Sequence, residues 1–196
     1  VQAQLALINA NAIKHRDNPA FIDDVFETVE SATTRLDKML TQLRNKQAMG
    51  ADKSTVNVAN LIEKVVKQCN VRKPKVEFLE QSNIEMFVDG ETLSSVLNHL
   101  IQNAQEASES DEKVNVLLRC HDGIVDITIE DHGSGMTESF IENRLFKPFD
   151  TTKGNAGMGI GVYEAKQFAE SISGQLVVTS RPGEGSKFSI RLPNSA

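Results

Sequence analysis

Six of the twelve glycines lie between Gly133 and Gly161, and their placement constrains this chain more than any other feature. The first cluster, Asp131-His132-Gly133-Ser134-Gly135, follows directly on Ile124 to Glu130, whose alternation of apolar and polar residues reads as a strand. The second, Gly157-Met158-Gly159-Ile160-Gly161, leads straight into Val162 to Ile172, a helical pattern closed by Gly174 as its C′ residue. Glycine lets backbone approach a ligand closely and take up positive φ. The free N–H groups at the start of the following helix favour an anion such as phosphate. Either cluster alone reads equally well as a surface loop. Two of them flanking about 20 aperiodic residues is uncommon, because loops that long in compact domains are functional or disordered. Neither cluster fits GxGxxG and no GxxxxGK[ST] occurs, so the dinucleotide and P-loop readings fail.

Charge narrows the ligand. The 196 residues carry 27 acids against 21 Lys and Arg, net −6. Residues 1–50 hold six of each sign, so the whole deficit lies in 51–196, and residues 77–112 carry nine acids with no Lys or Arg. A nucleic-acid grip needs a basic footprint to neutralise phosphates, and none is present. Locally the balance reverses: Arg144 to Lys166 hold four bases against two acids, beside the second glycine cluster. A chain with 24% charged and 39% hydrophobic residues has the composition of a globular domain with a real core. Cys69 and Cys120 form no CxxC and read as two buried reduced thiols. No apolar run approaches the ~18–20 residues that span a bilayer, and no signal-peptide pattern opens the chain. The reading is a cytoplasmic domain, or the cytoplasmic part of an inner-membrane protein, with no membrane contact of its own.

The first 47 residues read as a helical hairpin. Ile22, Phe26, Val29, Thr33, Leu36, Leu40 and Leu43 recur at spacings of four and three, a heptad seam, and Val1, Leu5, Ile8 and Ala12 repeat it upstream. Asn18 and Pro19 supply a cap and a first-turn residue between them. Seams this long and narrow fit a four-helix bundle built by two chains better than a hairpin packed on its own domain. Because Val1 already lies within the pattern, the chain reads as a piece of something longer. Residues 48–55 form a linker, and 56–196 a second domain. There Val56 to Val58, Val76 to Leu79 and Met86 to Val88 read as short strands and Leu61 to Cys69 as a helix. Asp89 caps a helix over Glu91 to Ser108, and Val114 to Cys120 pairs with Ile124 to Glu130 around Asp122-Gly123, a strong hairpin signal. Gln175 to Ser180 and Phe188 to Leu192 form a last hairpin. Helices and hairpins segregate along the chain, which argues an α+β fold, a two-layer α/β sandwich.

On the long helix, His99 and Asn103 are four apart and share a face. Asn103 offers a neutral oxygen suited to a hard cation such as Mg²⁺. Taken alone, the pair reads more readily as a half-buried amide and a packing histidine. A catalytic loop of the eukaryotic protein-kinase type is excluded: His15-Arg16-Asp17 lacks the required Asn five residues on, where Ile22 stands.

Four motifs now stand in order: Leu100-Ile101-Gln102-Asn103-Ala104, Asp131-x-Gly133-x-Gly135, Phe146-Lys147-Pro148-Phe149-Asp150-Thr151-Thr152-Lys153, and Gly157-x-Gly159-x-Gly161. They resemble the asparagine, first glycine, phenylalanine and second glycine boxes of the sensor histidine kinases, members of the wider GHKL superfamily with gyrase, MutL and the ninety-kilodalton heat-shock chaperones. Gly183-x-Gly185-Ser186-x-Phe188 resembles the closing motif of the same domain, and the match covers about Val56 to Pro193. Finer details are similar to the sensor kinases associated with bacterial exosortase and exopolysaccharide systems. The resemblance implies a Bergerat-type ATP-binding fold preceded by part of a dimerisation and phosphotransfer bundle, with ATP and Mg²⁺ as cofactors. It implies a homodimer formed through the helical hairpin and a response-regulator receiver domain as partner.

By the same resemblance, Asp131 accepts the adenine amino group, with Gly133, Gly135 and Met136 in the base pocket and Ser186 near adenine through water. Asn103 ligates Mg²⁺, and Ala107 lines the nucleotide. Lys147 and Lys153 offset phosphate charge, while Thr151 and Thr152 add hydroxyl donors. Gly157, Met158, Gly159, Ile160 and Gly161 supply backbone donors, and Phe146 and Phe149 anchor a lid. Catalytic roles fall to His99 and Asn103. Two departures stand out. The family carries Asn at the position of His99, and Asn98 is one residue early, about 100° off that face. The phosphoacceptor box is missing and belongs a few residues before Val1, since His15 sits in the turn region. The expectation is therefore a kinase core that binds nucleotide but does not phosphorylate itself. Two other readings are a conformational ATPase of the same superfamily, whose members place a Glu near His99, and a non-catalytic regulatory dimer that senses nucleotide.

Overall fold

The computed structural model describes residues 18–23, 25–26, 28–30, 33, 52–80, 83–150 and 159–194. The chain divides into two compact units, 1–48 and 49–196. In the first, residues 19–23, 25–26, 28–30 and 33 are helical. Asn18 starts this helix: its side-chain oxygen accepts the Ala20 N–H at 3.1 Å, and its carbonyl accepts those of Phe21 and Ile22. The seam residues upstream of this turn, those from Leu36 onward, and His15 lie outside the described residues.

The second unit is a two-layer α+β sandwich, as the segregation of helices and hairpins implies. Its elements run β1 (Ser54–Asn57), α1 (Val58–Cys69), β2 (Lys75–Glu80), β3 (Glu85–Val88), α2 (Gly90–Ala107), β4 (Lys113–His121), β5 (Ile124–Asp131), α3 (Gly161–Ser171), β6 (Gln175–Arg181) and β7 (Gly185–Pro193). A short helical turn, Glu138–Phe140, runs into a π-turn over Ile141–Leu145. Five strands form one sheet in the order β2-β4-β5-β7-β6, with β2 parallel to β4 and the other pairs antiparallel, while β1 and β3 pair separately.

Period-two patterning sets the register. Val114, Val116 and Leu118, Val125, Ile127 and Ile129, and Phe188, Ile190 and Leu192 all face one side and are buried in one cluster with the apolar stripes of α1, α2 and α3. The opposite face carries charge, with Lys187 against Glu130 at 3.6 Å and Arg191 against Asp126 at 3.1 Å. On α2 the buried stripe is Leu93, Val96, Leu97, Leu100, Ile101 and Ala104, as the spacing implies, plus the polar Gln105. Gln105 is held because its amide donates to the carbonyls of Cys69 and Pro74. Asp89 caps α2 through the Thr92 N–H at 3.0 Å.

Three local readings shift. Cys69 is buried as expected, but Cys120 is exposed: it shares the inward parity of Val114, Val116 and Leu118 but lies in the exposed last three residues of β4. The first strand occupies Ser54–Asn57, and Val58 belongs to α1, because the Asn57 side chain accepts the Asn60 N–H at 2.9 Å and turns the chain into helix. At the end of α3 the left-handed residue is Ser173, with φ 60°, one position before Gly174. The Gly174 N–H reaches the Ala169 carbonyl at 2.8 Å and the Ser173 N–H reaches Glu170, a Schellman closure in which Gly174 is C″. Glycine is required at 174 for space: a Cβ there would lie 2.4 Å from the Arg191 carbonyl oxygen.

Candidate functional site

Asp131 is the last residue of β5 and is 3% exposed, against an expected place in a loop. Its Oδ1 accepts two backbone N–H groups, from Gly133 at 3.0 Å and from Ser186 at 3.2 Å on the neighbouring strand. Burial pushes its pKa up, and the two backbone donors and His132 pull it partly back. Every hydrogen bond this carboxylate takes from the described residues falls on Oδ1. Oδ2 is therefore the acceptor left for a ligand's N–H.

The loops around Asp131 are packed backbone on backbone. A Cβ on Gly135 (φ +64°) would lie 1.9 Å from the Arg181 carbonyl oxygen, and one on Gly185 would lie 2.0 Å from that of Asp131. The Ser134 carbonyl takes the Gly183 N–H at 2.8 Å, which ties the first glycine cluster to the β6–β7 hairpin. Ser180 holds this corner: its hydroxyl accepts the Met136 N–H at 2.8 Å, donates to the Gly185 carbonyl at 2.7 Å and lies 3.0 Å from the Ser186 hydroxyl. Sequence reading passes over Ser180, because nothing in the chain announces the register that sets it opposite Ser186.

Gly133 and Ser134 of the first glycine cluster and Gly161 of the second dock on one face of α2. At its C-terminal end the Ser134 N–H donates to the Ala107 carbonyl at 3.1 Å, and a Cβ on Gly133 would lie 2.1 Å from that oxygen. Two turns earlier Gly161 sits against the expected pair: a Cβ there would lie 3.1 Å from His99 Cβ and 3.6 Å from Asn103 Nδ2. Ala107, Asn103 and His99 thus form one strip at i, i+4 spacing that runs from the first cluster to the second. Asn98 points elsewhere, its side-chain oxygen accepting from the Cys69 thiol and Gln102. His99 Nδ1 lies 3.1 Å from Oε2 of Glu164 on α3, a contact that sequence reading does not reveal.

The described residues flanking 151–158 meet each other. The Phe149 N–H donates to the Gly159 carbonyl at 3.0 Å, with φ of 67° and 63° at the two residues. Arg144 forks onto Asp150, through Nε at 2.9 Å and through Nη2, and lies over the Phe140 ring. This guanidinium holds the Asp150 carboxyl below the usual range. Lys166 lies over the Phe146 ring at 4.9 Å, and Lys147 is exposed. Ile160 is buried and precedes α3, which starts with no side-chain cap among the described residues, so its first N–H groups remain available to an anion. Thr151, Thr152, Lys153, Gly157 and Met158 lie outside the described residues.

A buried strand-end aspartate, with Gly133 and Gly161 packed on one asparagine-bearing helix, fits the nucleotide-binding α/β sandwich that the motifs imply. Residues 88–196 match the family model of the histidine kinase-, DNA gyrase B-, and HSP90-like ATPases, and the chain belongs to that family. It is 29% identical over 175 residues to sporulation kinase A of Bacillus subtilis, covering 86% of this chain and 28% of that protein. It is 25% identical over 181 residues to the alginate biosynthesis sensor protein KinB of Pseudomonas aeruginosa, covering 87% and 30%. The chain spans 20% to 36% of the length of such curated relatives. Among solved structures, the Acinetobacter baumannii histidine kinase AdeS superposes with a TM-score of 0.69 at 20% identity, over 98% of this chain and 95% of that one. The mycobacterial sensor histidine kinase MprB superposes at 0.64 with 22% identity, over 72% and 97%.

Proposed function

We propose that this chain is the catalytic core of a two-component sensor histidine kinase. It binds ATP with Mg²⁺ between α2 and the glycine clusters and delivers the γ-phosphoryl group to a histidine outside the chain, for relay to an aspartate of a response regulator. The observation that supports this reading is that Gly133 and Ser134, which follow Asp131, and Gly161 pack against one face of α2, the latter beside Asn103.

The residues present fit the nucleotide. Asp131 Oδ2 is the free acceptor for an exocyclic amino group, in a pocket bounded by Gly133, Gly135 and Met136, with Ser186 beside the carboxylate. The uncapped start of α3 and Gly159, Ile160 and Gly161 face the phosphate end with N–H donors. Among the described residues no three His, Cys, Asp or Glu side chains gather to hold a metal. A cation there shares its coordination between the Asn103 amide oxygen, a hard donor, and ligand oxygens. ATP supplies the phosphoryl group and the cation offsets its charge; the protein's work is positioning and charge stabilisation. On this reading His99, one turn before Asn103 on α2, faces the reacting phosphate. Lys147 is exposed before the segment 151–158, whose Thr151, Thr152, Lys153, Gly157 and Met158 lie outside the described residues, and Ala107 closes the far end of the strip.

Dimerisation through the helical hairpin is supported by Ile22, Phe26 and Val29, which stand 39%, 69% and 44% exposed along one stripe. No helix among the described residues is long and apolar enough to cross a membrane. Titration calorimetry with ATP and Mg²⁺ tests the site, with micromolar binding expected and none overturning it. Labelled ATP given to a protein extended upstream through the phosphoacceptor helix tests the chemistry. Acid-labile, base-stable protein phosphate supports the kinase. Phosphate release without labelling assigns the conformational ATPase instead, and neither, with binding intact, assigns the nucleotide sensor.

A further inference from the structure

We infer that Glu164 is a positioning residue for His99: its carboxylate takes the Nδ1–H of the neutral imidazole, which leaves the Nε2 lone pair as the ring's free acceptor beside Asn103. This rests on the nucleotide-binding reading above, and it gives a role to an acid that no motif includes. His99 Nδ1 is buried and has no hydrogen-bond partner among the described residues, whereas Glu164 Oε2 stands 3.1 Å away. The two atoms are within hydrogen-bonding distance but not aligned as a hydrogen bond, and a small turn of either side chain aligns them. The His99 side chain is nevertheless 41% exposed, so the open part of the ring lies away from Nδ1. Glu164 is itself 25% exposed, which makes it a partly desolvated acceptor.

The backbone leaves the pair little freedom. Gly161, one turn before Glu164 on α3, lies against both His99 and Asn103, and any side chain at 161 would enter that contact. The Glu164 N–H donates to the Ile160 carbonyl at 2.9 Å in the first turn of α3. The helix whose start faces the phosphates therefore also carries the carboxylate that sets the histidine. Which ring nitrogen of a histidine is free is decided by the bond the other one makes, and such supporting partners change function without touching the ligand.

Two-bond proton–nitrogen NMR of the imidazoles tests this in the nucleotide-free chain, in mildly alkaline buffer. The expected wild-type spectrum shows His99 protonated at Nδ1 and free at Nε2. Glu164→Leu should move it toward the Nε2–H form that solvent-exposed imidazoles prefer. Glu164→Gln, whose amide oxygen still accepts, should keep Nδ1–H. A wild-type Nε2–H form, or a tautomer indifferent to Glu164→Leu, overturns the inference, and the wild-type spectrum decides even where a variant fails to fold. In the protein extended through its phosphoacceptor, Glu164→Leu should slow phosphoryl transfer roughly tenfold with ATP affinity within about twofold, and Glu164→Gln should restore part of the rate. Equal losses in both variants count against orientation. A wild-type chain that binds no ATP would remove the nucleotide reading while the tautomer result stands by itself.

Discussion

Asp131 and Ser186 face each other in register across β5 and β7, and the Ser186 N–H donates to Asp131 Oδ1 at 3.2 Å. One oxygen of a residue that is 3% exposed is thereby committed to the fold, and the other takes no hydrogen bond from the described residues. The same bond explains why a motif residue expected in a loop stands on a strand: only there does the neighbouring strand supply a donor.

Asp131→Asn separates these two duties. The amide oxygen still accepts both backbone N–H groups, but its NH₂ opposes an exocyclic amino group. With hydrogen bonds to charged groups worth about 1.5–3 kcal/mol, ATP affinity should fall roughly tenfold to a hundredfold with the fold intact. Titration calorimetry reads it; an unchanged affinity removes Asp131 from the base pocket.

The same substitution has a signed pH dependence. Because burial holds the native Asp131 pKa above the ordinary aspartate value, the unfolded chain ionises first as pH rises. Over that window the native state binds more protons, so stability falls with rising pH until the native group ionises too. Relative to wild type, Asp131→Asn should therefore melt progressively higher from acidic toward neutral pH. Calorimetric scans at both ends check the sign.

Gly135 and Gly183 both have positive φ, at 64° and 79°, yet only Gly135 is enclosed, with nothing within 4 Å of a Cβ at Gly183. Gly183→Ala should cost about 1–2 kcal/mol from the left-handed backbone alone. Gly135→Ala adds a collision with the Arg181 carbonyl and should exceed that, lowering Tm by more than about 4 °C and weakening nucleotide binding. Equal melting shifts would mean that the enclosure is not rigid.

Ser180→Ala leaves the Met136 N–H and the Gly185 carbonyl without their shared hydroxyl. A loss of about 1–3 kcal/mol is expected, together with weaker ATP binding, because Met136 and Gly185 belong to the loops packed around Asp131. Chemical denaturation and calorimetry on the one variant check both halves.

Gly161→Ala should behave oppositely to Gly135→Ala. Alanine is favoured over glycine within a helix by about 0.5–1 kcal/mol, and the closest neighbour is the His99 Cβ at 3.1 Å. Stability should change by less than about 1 kcal/mol, whereas phosphoryl transfer in the extended protein should drop by tenfold or more. A fully active variant would show that the His99 and Asn103 strip tolerates displacement.

Much of this molecule is legible in the chain itself, where information is local. Alternation along Val114 to Leu118 and Ile124 to Glu130 states both the strands and their buried face, Asp122-Gly123 states the turn, and Asp89 states the start of α2. The spacing of His99 and Asn103 states a shared helix face, and the ordered glycine clusters state a phosphate-compatible site. These follow from helix and strand periods and from the few residues that tolerate positive φ. What the fold alone decided are meetings between distant segments. That Ser180 shares its hydroxyl between Met136 and Gly185, that Gly133 rests on the Ala107 carbonyl, and that Glu164 meets His99 depend on sheet register and on which helices touch. A serine or glutamate in isolation has no periodicity to announce such a partner. Local chemistry names the residues that can form a site, and only the packing of α2 against α3 and of β5 against β7 determines which of them face one another.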